Sequence, residues 1–251
     1  MAYSMYLIPL LFFAISFVFS MLGMGGSQIY IPILFWCGLD FKTQAIPLGM
    51  LLNVVNSGSA AVVYAFKKMI DWRIALTFGI TMLVFAPLGT LLNLHLPTRP
   101  IIAIFALFTA VAGIMMFIGW RPKSGRLDKK GRTIVGVIGG AGLGFLAGLI
   151  GRGGGSFVVP LLYMCGLEAR AAAATSSVAV SFSGISSFVS HVATAAKPAW
   201  GLWAACVVSV FAGSQLGSRF MAAKLKGRAV RKVFALVLIS VAIILIVKNV
   251  L

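Results

Sequence analysis

Long apolar runs alternate with short polar breaks along the chain, and the runs fall into two sets of five. The first set lies near 7–22, 28–38, 43–65, 74–93 and 101–119. The second lies near 134–150, 155–166, 172–195, 200–219 and 230–250. Most of them approach the roughly 20 residues that carry a helix across a bilayer, which predicts an all-α polytopic membrane protein. The second run of each set is too short for that, because a helix rises only ~1.5 Å per residue against a hydrocarbon core of ~30 Å. The first run has no basic flank before it and no small-residue cleavage site after it, so a retained helix is expected rather than a signal peptide.

The two sets are copies of one unit. Residues 23–32, GMGGSQIYIP, recur 128 positions later as 151–160, GRGGGSFVVP. Gly23, Gly25, Gly26 and Pro32 fall on Gly151, Gly153, Gly154 and Pro160. Cys37-Gly38-Leu39 falls on Cys165-Gly166-Leu167, followed in each copy by an acid (Asp40, Glu168) and, two residues later, a base (Lys42, Arg170). Trp72 matches Trp200, and Leu88-Gly89 matches Leu216-Gly217. Matched Gly, Pro, Cys and Trp do not arise from apolar composition alone, and duplicated membrane units are a common plan of secondary transporters. The chain divides into a first repeat over 1–120, a basic loop over 121–132 and a second repeat over 133–251.

Charge orients the unit. There are 21 Lys and Arg against four acids, a net charge of +17. Fifteen of the 21 sit in 66–73, 121–132 and 219–232, between apolar runs. Such loops set topology beside anionic lipid, and nucleic acid is not indicated. The positive-inside rule places 121–132 and 219–232 on the cytoplasmic side, so an even number of crossings separates them. Reading 134–166 as one span leaves three. Folding it into a hairpin at Gly151–Gly155 restores the parity, and the same treatment of 7–38 puts 66–73 inside and both termini outside. Each half then holds five segments, its first two a Gly-tipped hairpin, for eight to ten helical segments in all. An odd number per half makes the repeats inverted. Loop 66–73 carries three basic residues and its counterpart near 194–201 only Lys197, which agrees. Cys37, Cys165 and Cys206 form no metal-binding or redox motif and are expected as small packing residues.

The hairpin tips are where chemistry is expected. Glycines allow a tight turn at membrane depth. Ser27 and Ser156 follow them, each read as the N-cap of the short helix beyond. Two helix N-termini converging near the midplane favour an anion. The candidate site at the tips is Gly25, Gly26, Ser27 and Gln28 in the first repeat, with Gly153, Gly154, Gly155 and Ser156 in the second. Arg152 lies within the second turn, where the first copy has Met24, and no acid lies inside a predicted span to pair with it. A buried guanidinium with that address suits a sulfonate or carboxylate. The third segments add Asn53 and Ser181 at equivalent positions, with Ser177 one turn earlier. His191, near the outer end of its segment, is a candidate proton carrier, and H+ or Na+ is the candidate coupling ion. No cofactor or metal motif is present. A channel, a structural membrane subunit and a homodimeric assembly remain compatible with these features, whereas a hydrolase lacks its Gly-x-Ser-x-Gly motif.

These motifs resemble those of the sulfite exporter TauE/SafE family, also called the 4-toluene sulfonate uptake permease family. The resemblance rests on Gly-x-Gly-Gly with its following Pro, the Cys-Gly-Leu-acid turn, Ala174-Thr175-Ser176-Ser177, Ile70-Asp71-Trp72-Arg73 and Ala86-Pro87-Leu88-Gly89. It covers nearly the whole chain. One departure is that Pro47-Leu48-Gly49 stands where the second copy has Thr175-Ser176-Ser177, so the two halves of any site are unequal. The resemblance implies a multi-pass carrier in the plasma membrane of a prokaryote, moving small anions such as sulfite or sulfonates.

Overall fold

A computed structural model describes residues 2–93, 129–150, 155–164, 166–192 and 198–229, with scattered positions in 107–118, 195 and 232–243. Arg152, Gly153, Gly154 and Cys165 lie outside the described residues, as does most of the two last apolar runs, 101–119 and 230–250. The described secondary structure is helical. The helices are α1 (Ala2–Leu22), α2 (Ser27–Trp36), α3 (Ile46–Phe66) and α4 (Trp72–Asn93), then α5 (Lys129–Ile150), α6 (Gly155–Met164), α7 (Ala169–Val192) and α8 (Trp200–Lys224). A π-helical turn, Phe41–Ala45, leads into α3. The short helices α2 and α6 begin and end 128 residues apart, the offset of the sequence repeat. Four helical stretches are long and apolar enough to cross a membrane: Thr43–Phe66, Trp72–Gly89, Ala169–Val192 and Trp200–Lys224.

Two boundaries differ from the sequence expectation for a physical reason. Helix α5 starts at Lys129, so the last four positions of 121–132 are already helical. Likewise Arg219 and Lys224 belong to the last turns of α8. Charge marks where a chain meets the membrane surface, and long basic side chains reach that surface from within a helix end.

The helices pack in pairs that survive exchange of the two halves. Helix α1 lies against α8 as α5 lies against α4, α3 touches α8 as α7 touches α4, and α2 rests on α3 as α6 rests on α7. Helices α3 and α7 meet each other across the centre. The two outer pairs approach closely through small residues spaced by four. A Cβ at Gly213 would come 2.4 Å from the Phe13 carbonyl oxygen, and one at Gly217 would come 2.1 Å from that of Phe17. On the other pair, Gly136 and Gly140 face Thr77 and Thr81, and Gly144 faces the Met82 backbone. Residue numbers climb together in both seams, so each pair is parallel. Close backbone approach through such stripes is how helices associate in lipid, where no hydrophobic force separates partner from solvent.

Two buried clusters divide the bundle along its axis. One joins Ile8 and Phe12 of α1, Leu34 of α2, Ile46 of α3 and Leu202 of α8. The other joins Tyr64 of α3, Ile74 of α4, Leu162 of α6, Ala169 of α7 and Met221 of α8. Outside them large apolar side chains face outward, Phe66 at 82% exposed and Ile138 at 69% among them. Such a surface is a liability in water and is matched by lipid tails.

Candidate functional site

Helix α1 stops at Leu22 because the next residues adopt a backbone that a helix cannot continue. Gly23, Gly25 and Gly26 have φ of 67, 84 and 105. The chain folds back there, bringing Phe12 and Tyr30 to 4.8 Å between ring centroids. Space as well as φ demands glycine at Gly23 and Gly25. A Cβ on Gly23 would lie 2.0 Å from the Ala173 carbonyl oxygen, and one on Gly25 would lie 2.0 Å from Asn53 Oδ1.

The turn is fastened from both repeats. From α3, Asn56 Nδ2 donates to the Gly25 carbonyl, while Asn56 Oδ1 lies 3.0 Å from the Ser16 hydroxyl. Ser16 also donates to the Val210 carbonyl at 2.6 Å, tying α1 to α8. Tyr64 Oη donates to the Ser20 carbonyl at 2.7 Å, behind the turn. From α7, Ser176 Oγ donates to the Gly23 carbonyl at 2.9 Å. Asn53, Asn56 and Ser176 are all fully buried. Asn53 and Asn56 flank the middle of α3, so the tip sits at mid-depth.

Ser27 is not the N-cap that the sequence suggested. Gly26 holds that position in left-handed conformation, and no side chain of the cap residue bonds back to the helix. A Ser cap needs extended backbone at the cap itself, and the glycine pair takes the turn one residue earlier. The Ser27 N–H instead points to Asn53 Oδ1 at 3.4 Å, so a side chain from α3 stands where a local cap would. The second copy departs in the same way, since α6 opens on Gly155 and Ser156 is already inside the helix.

That contact fixes the orientation of the Asn53 amide. With Oδ1 turned to a backbone N–H, Nδ2 must point the other way, toward Gly184 of α7, whose absent Cβ would lie 2.8 Å from it. There Nδ2 is buried and meets no acceptor among the described residues. A buried unsatisfied donor costs about 1–3 kcal/mol, so a native protein retains one where something binds it. The repeat pointed to Asn53, as the counterpart of Ser181, and not to Asn56. The structure separates the two: Asn56 is consumed in holding the turn, and Asn53 has donor capacity to spare.

The other sequence candidates separate accordingly. Ser181 joins the same layer, donating to the Ser177 carbonyl at 2.7 Å with its oxygen 3.1 Å from Ser57 Oγ. Ser57 bonds in turn to the Asn53 carbonyl at 2.7 Å. Ser177 Oγ is buried but donates within its own helix, to Ala174 at 2.7 Å, and no bond joins it to the turn. Gln28 is half-buried in the first turn of α2. His191 is in the last turn of α7, its Nδ1 2.8 Å from the Ser187 carbonyl. It lies eleven residues beyond Val180 of the tip layer, roughly 16 Å along the helix, so the structure does not bring it to the site. Cys206 is buried as a packing residue, whereas Cys37 is exposed and packs nothing inside the chain. Among the described residues no cluster of His, Cys, Asp or Glu is placed to hold a metal.

Sequence reading missed the seam behind the turn. Ser16 and Ser20 on α1 lie against Gly213 and Gly217 of α8, next to Ser214 and Ser218, each serine pair four residues apart and all four buried. Ser59 bonds Ser214 at 2.7 Å, and Ser214 donates to the Asn56 carbonyl at 2.7 Å. The i, i+4 spacing of hydroxyls in two apolar runs was the available signal.

The chain is similar in sequence to several probable membrane transporter proteins across most of their length. A probable membrane transporter protein of Methanocaldococcus jannaschii is 28% identical over 199 residues, covering 74% of this chain and 73% of its own. One of Xylella fastidiosa is 26% identical over 244 residues, covering 92% and 91%. Another, of Sinorhizobium fredii, is 28% identical over 222 residues, covering 84% and 87%. No solved structure matches the chain. The model of the sulfite exporter TauE/SafE family matches residues 8–245, both glycine turns and the helices they join included, and the chain belongs to that family.

Proposed function

We propose that the protein is a membrane transporter that carries small oxyanions, sulfur-containing ones in particular, through a site at the glycine turns by alternating access. The observation that carries this reading is the Asn53 amide donor, buried and unmet beside the N-terminus of α2 at mid-depth. A helix N-terminus contributes roughly half a positive charge, and an anion is the ligand that satisfies both it and the amide. The name of the family and those of the relatives favour transport over catalysis, and the plasma membrane of a prokaryote is the proposed location.

Inverted repeats suit this mechanism, and the packing supports them. Leu34 at the end of α2 clusters with Ile8 at the start of α1, whereas Leu162 at the end of α6 clusters with Ile74 and Met221. On this reading the hairpins open from opposite sides and their tips converge. The parallel seams α1/α8 and α4/α5 are the rigid arms that rock about α3 and α7. Loop 66–73 and Glu168 line one cavity, which agrees with a shared cytoplasmic side. Cysteines introduced by Lys68→Cys and Glu168→Cys are expected to react with a membrane-impermeant reagent in inside-out vesicles and stay silent in intact cells. Labelling of either from outside refutes the topology.

The transport reading is tested in proteoliposomes by uptake of sulfite and methanesulfonate, with and without pH and Na+ gradients. Saturable uptake is expected, and flux that never saturates would indicate a channel instead. Arg152 is proposed to meet the anion from the second turn. Arg152→Met, copying the first repeat, is expected to weaken anion binding about 100-fold, and Arg152→Lys about tenfold because the fork is lost and the charge kept. Wild-type affinity in the Met variant, measured calorimetrically, removes Arg152 from the site.

A further inference from the structure

The acid-x-base pair that follows each Cys-Gly-Leu turn has no part in the tip site, yet in the second repeat it borders the open cavity just mentioned. That cavity, of about 560 Å³, lies between the α3–α4 loop and the start of α7. Lys68, Asp71 and Trp72 line it from the first repeat, Glu168 and Arg170 from the second. The two acids sit immediately before α4 and α7, where carboxylates complement helix N-termini. Asp71 Oδ1 accepts the Ile74 N–H at 3.4 Å, while Glu168 is exposed where it lines the cavity.

Arg170 and Lys68 are each held in an unusual position, one by its place on a helix and the other by its backbone. Arg170 is in the first turn of α7, the positive end of a helix, where a guanidinium is disfavoured. One arm, Nη2, donates to the Ala222 carbonyl of α8 at 2.5 Å, which pins the group at the cavity wall. Its Nε is buried and meets no acceptor among the described residues. Lys68 has φ of 54, and among the described residues no other non-glycine residue has positive φ. It closes α3 through Lys68 N–H to Ala65 and Met69 N–H to Tyr64, a position glycine ordinarily takes. A guanidinium at the positive end of its own helix and a lysine in a backbone that glycine ordinarily takes therefore meet at one cavity.

We infer that this cavity is a second anion site, a vestibule in which Arg170 and Lys68 hold a small oxyanion before it reaches, or after it leaves, the turns. Trp72 gives it an apolar wall for the organic part of a sulfonate or carboxylate. The inference rests on the transport reading for its role in the cycle, while binding itself is independent of it. A lipid phosphate offers the same oxyanion chemistry, and the free anion is the occupant proposed, because the cavity is bounded by residues of both repeats on the route between them.

The test titrates the full chain, in phosphatidylcholine nanodiscs, with methanesulfonate while following tryptophan fluorescence. A saturable change is expected that disappears in Trp72→Phe. Its Kd should rise at least tenfold in Arg170→Lys and in Lys68→Gln. Lys68 is exposed, so its variant reports binding even where Arg170→Lys fails to fold. The vestibule is overturned by an unchanged Kd in Lys68→Gln, by the absence of saturation, or by a signal that appears only on adding phosphatidylglycerol to the nanodisc. Saturation without any transport in proteoliposomes upholds the site and sinks the transport reading.

Discussion

Gly25→Ala is expected to abolish transport. Its Cβ would fall 2.0 Å from Asn53 Oδ1 and 3.0 Å from Val180 Cγ1, at a backbone φ of 84. The φ alone costs about 1–2 kcal/mol in an L-residue. The contact forces Asn53 off the Ser27 N–H and away from its fixed orientation, so the site is lost even where the bundle survives. Gly38→Ala separates the two effects, since Gly38 has φ of 93 and nothing within 4 Å of the added carbon. The Gly38 variant is expected to lose a few degrees of thermal stability, roughly 2–4 °C per kcal/mol, and to keep its transport rate. The Gly25 variant should lose both. Uptake by folded Gly25→Ala at the wild-type rate would take the turn out of the mechanism.

How much of this was legible in sequence depends on the range of the signal. The first hairpin and both short helices were readable because glycine, proline and cysteine carry local information and the repeat printed it twice. Helix α2 begins at Ser27 and α6 at Gly155, within a residue of the apolar runs 28–38 and 155–166. The cap assignment failed at Ser27 because Gly-Gly-Ser fits a cap at either the second or the third residue. Gly26 took it with a φ that only the folded turn reveals. The triangle of Gly25, Asn53 and Gly184 had no local signature at all. Its members lie on three elements, and only the packing of α7 against α3 brings Gly184 to the Asn53 amide. Repeat alignment pointed to Asn53 and Ser181 as partners, and the structure gives them unequal tasks. Ser181 closes a hydroxyl chain through Ser57, while Asn53 faces a glycine. The first repeat has Ser16 and Asn56 where the second has Gly144 and Gly184. Hydrogen bonds therefore brace the first turn in a way those second-repeat positions cannot reproduce. The inequality noticed at Pro47-Leu48-Gly49 extends through the whole site.

Asn53→Asp is expected to eliminate anion binding at the turn, at some cost in stability because the new carboxylate is buried. The substitution keeps the oxygen that the Ser27 N–H approaches at 3.4 Å and replaces the unmet Nδ2 with a second oxygen. A carboxylate at the N-terminus of α2 is favourable by about 0.3–1 kcal/mol, and it occupies electrostatically the place the substrate would take. Substrate loses a hydrogen bond to a charged group, worth about 1.5–3 kcal/mol, and gains repulsion in a poorly screened interior. Together these predict affinity reduced by roughly 100-fold or more. Asn53→Ser, which copies Ser181, keeps a hydroxyl donor of shorter reach and should fall between the two. Asn53→Ala removes donor and acceptor alike and should bind weakly and melt earlier, because the turn loses the side chain that faces the Ser27 N–H. Calorimetric titration with methanesulfonate, paired with thermal unfolding of each variant, reads affinity and stability apart. Wild-type affinity in Asn53→Asp would mean that the buried amide serves the packing of α3 on α7 and that the anion, if carried, is held elsewhere.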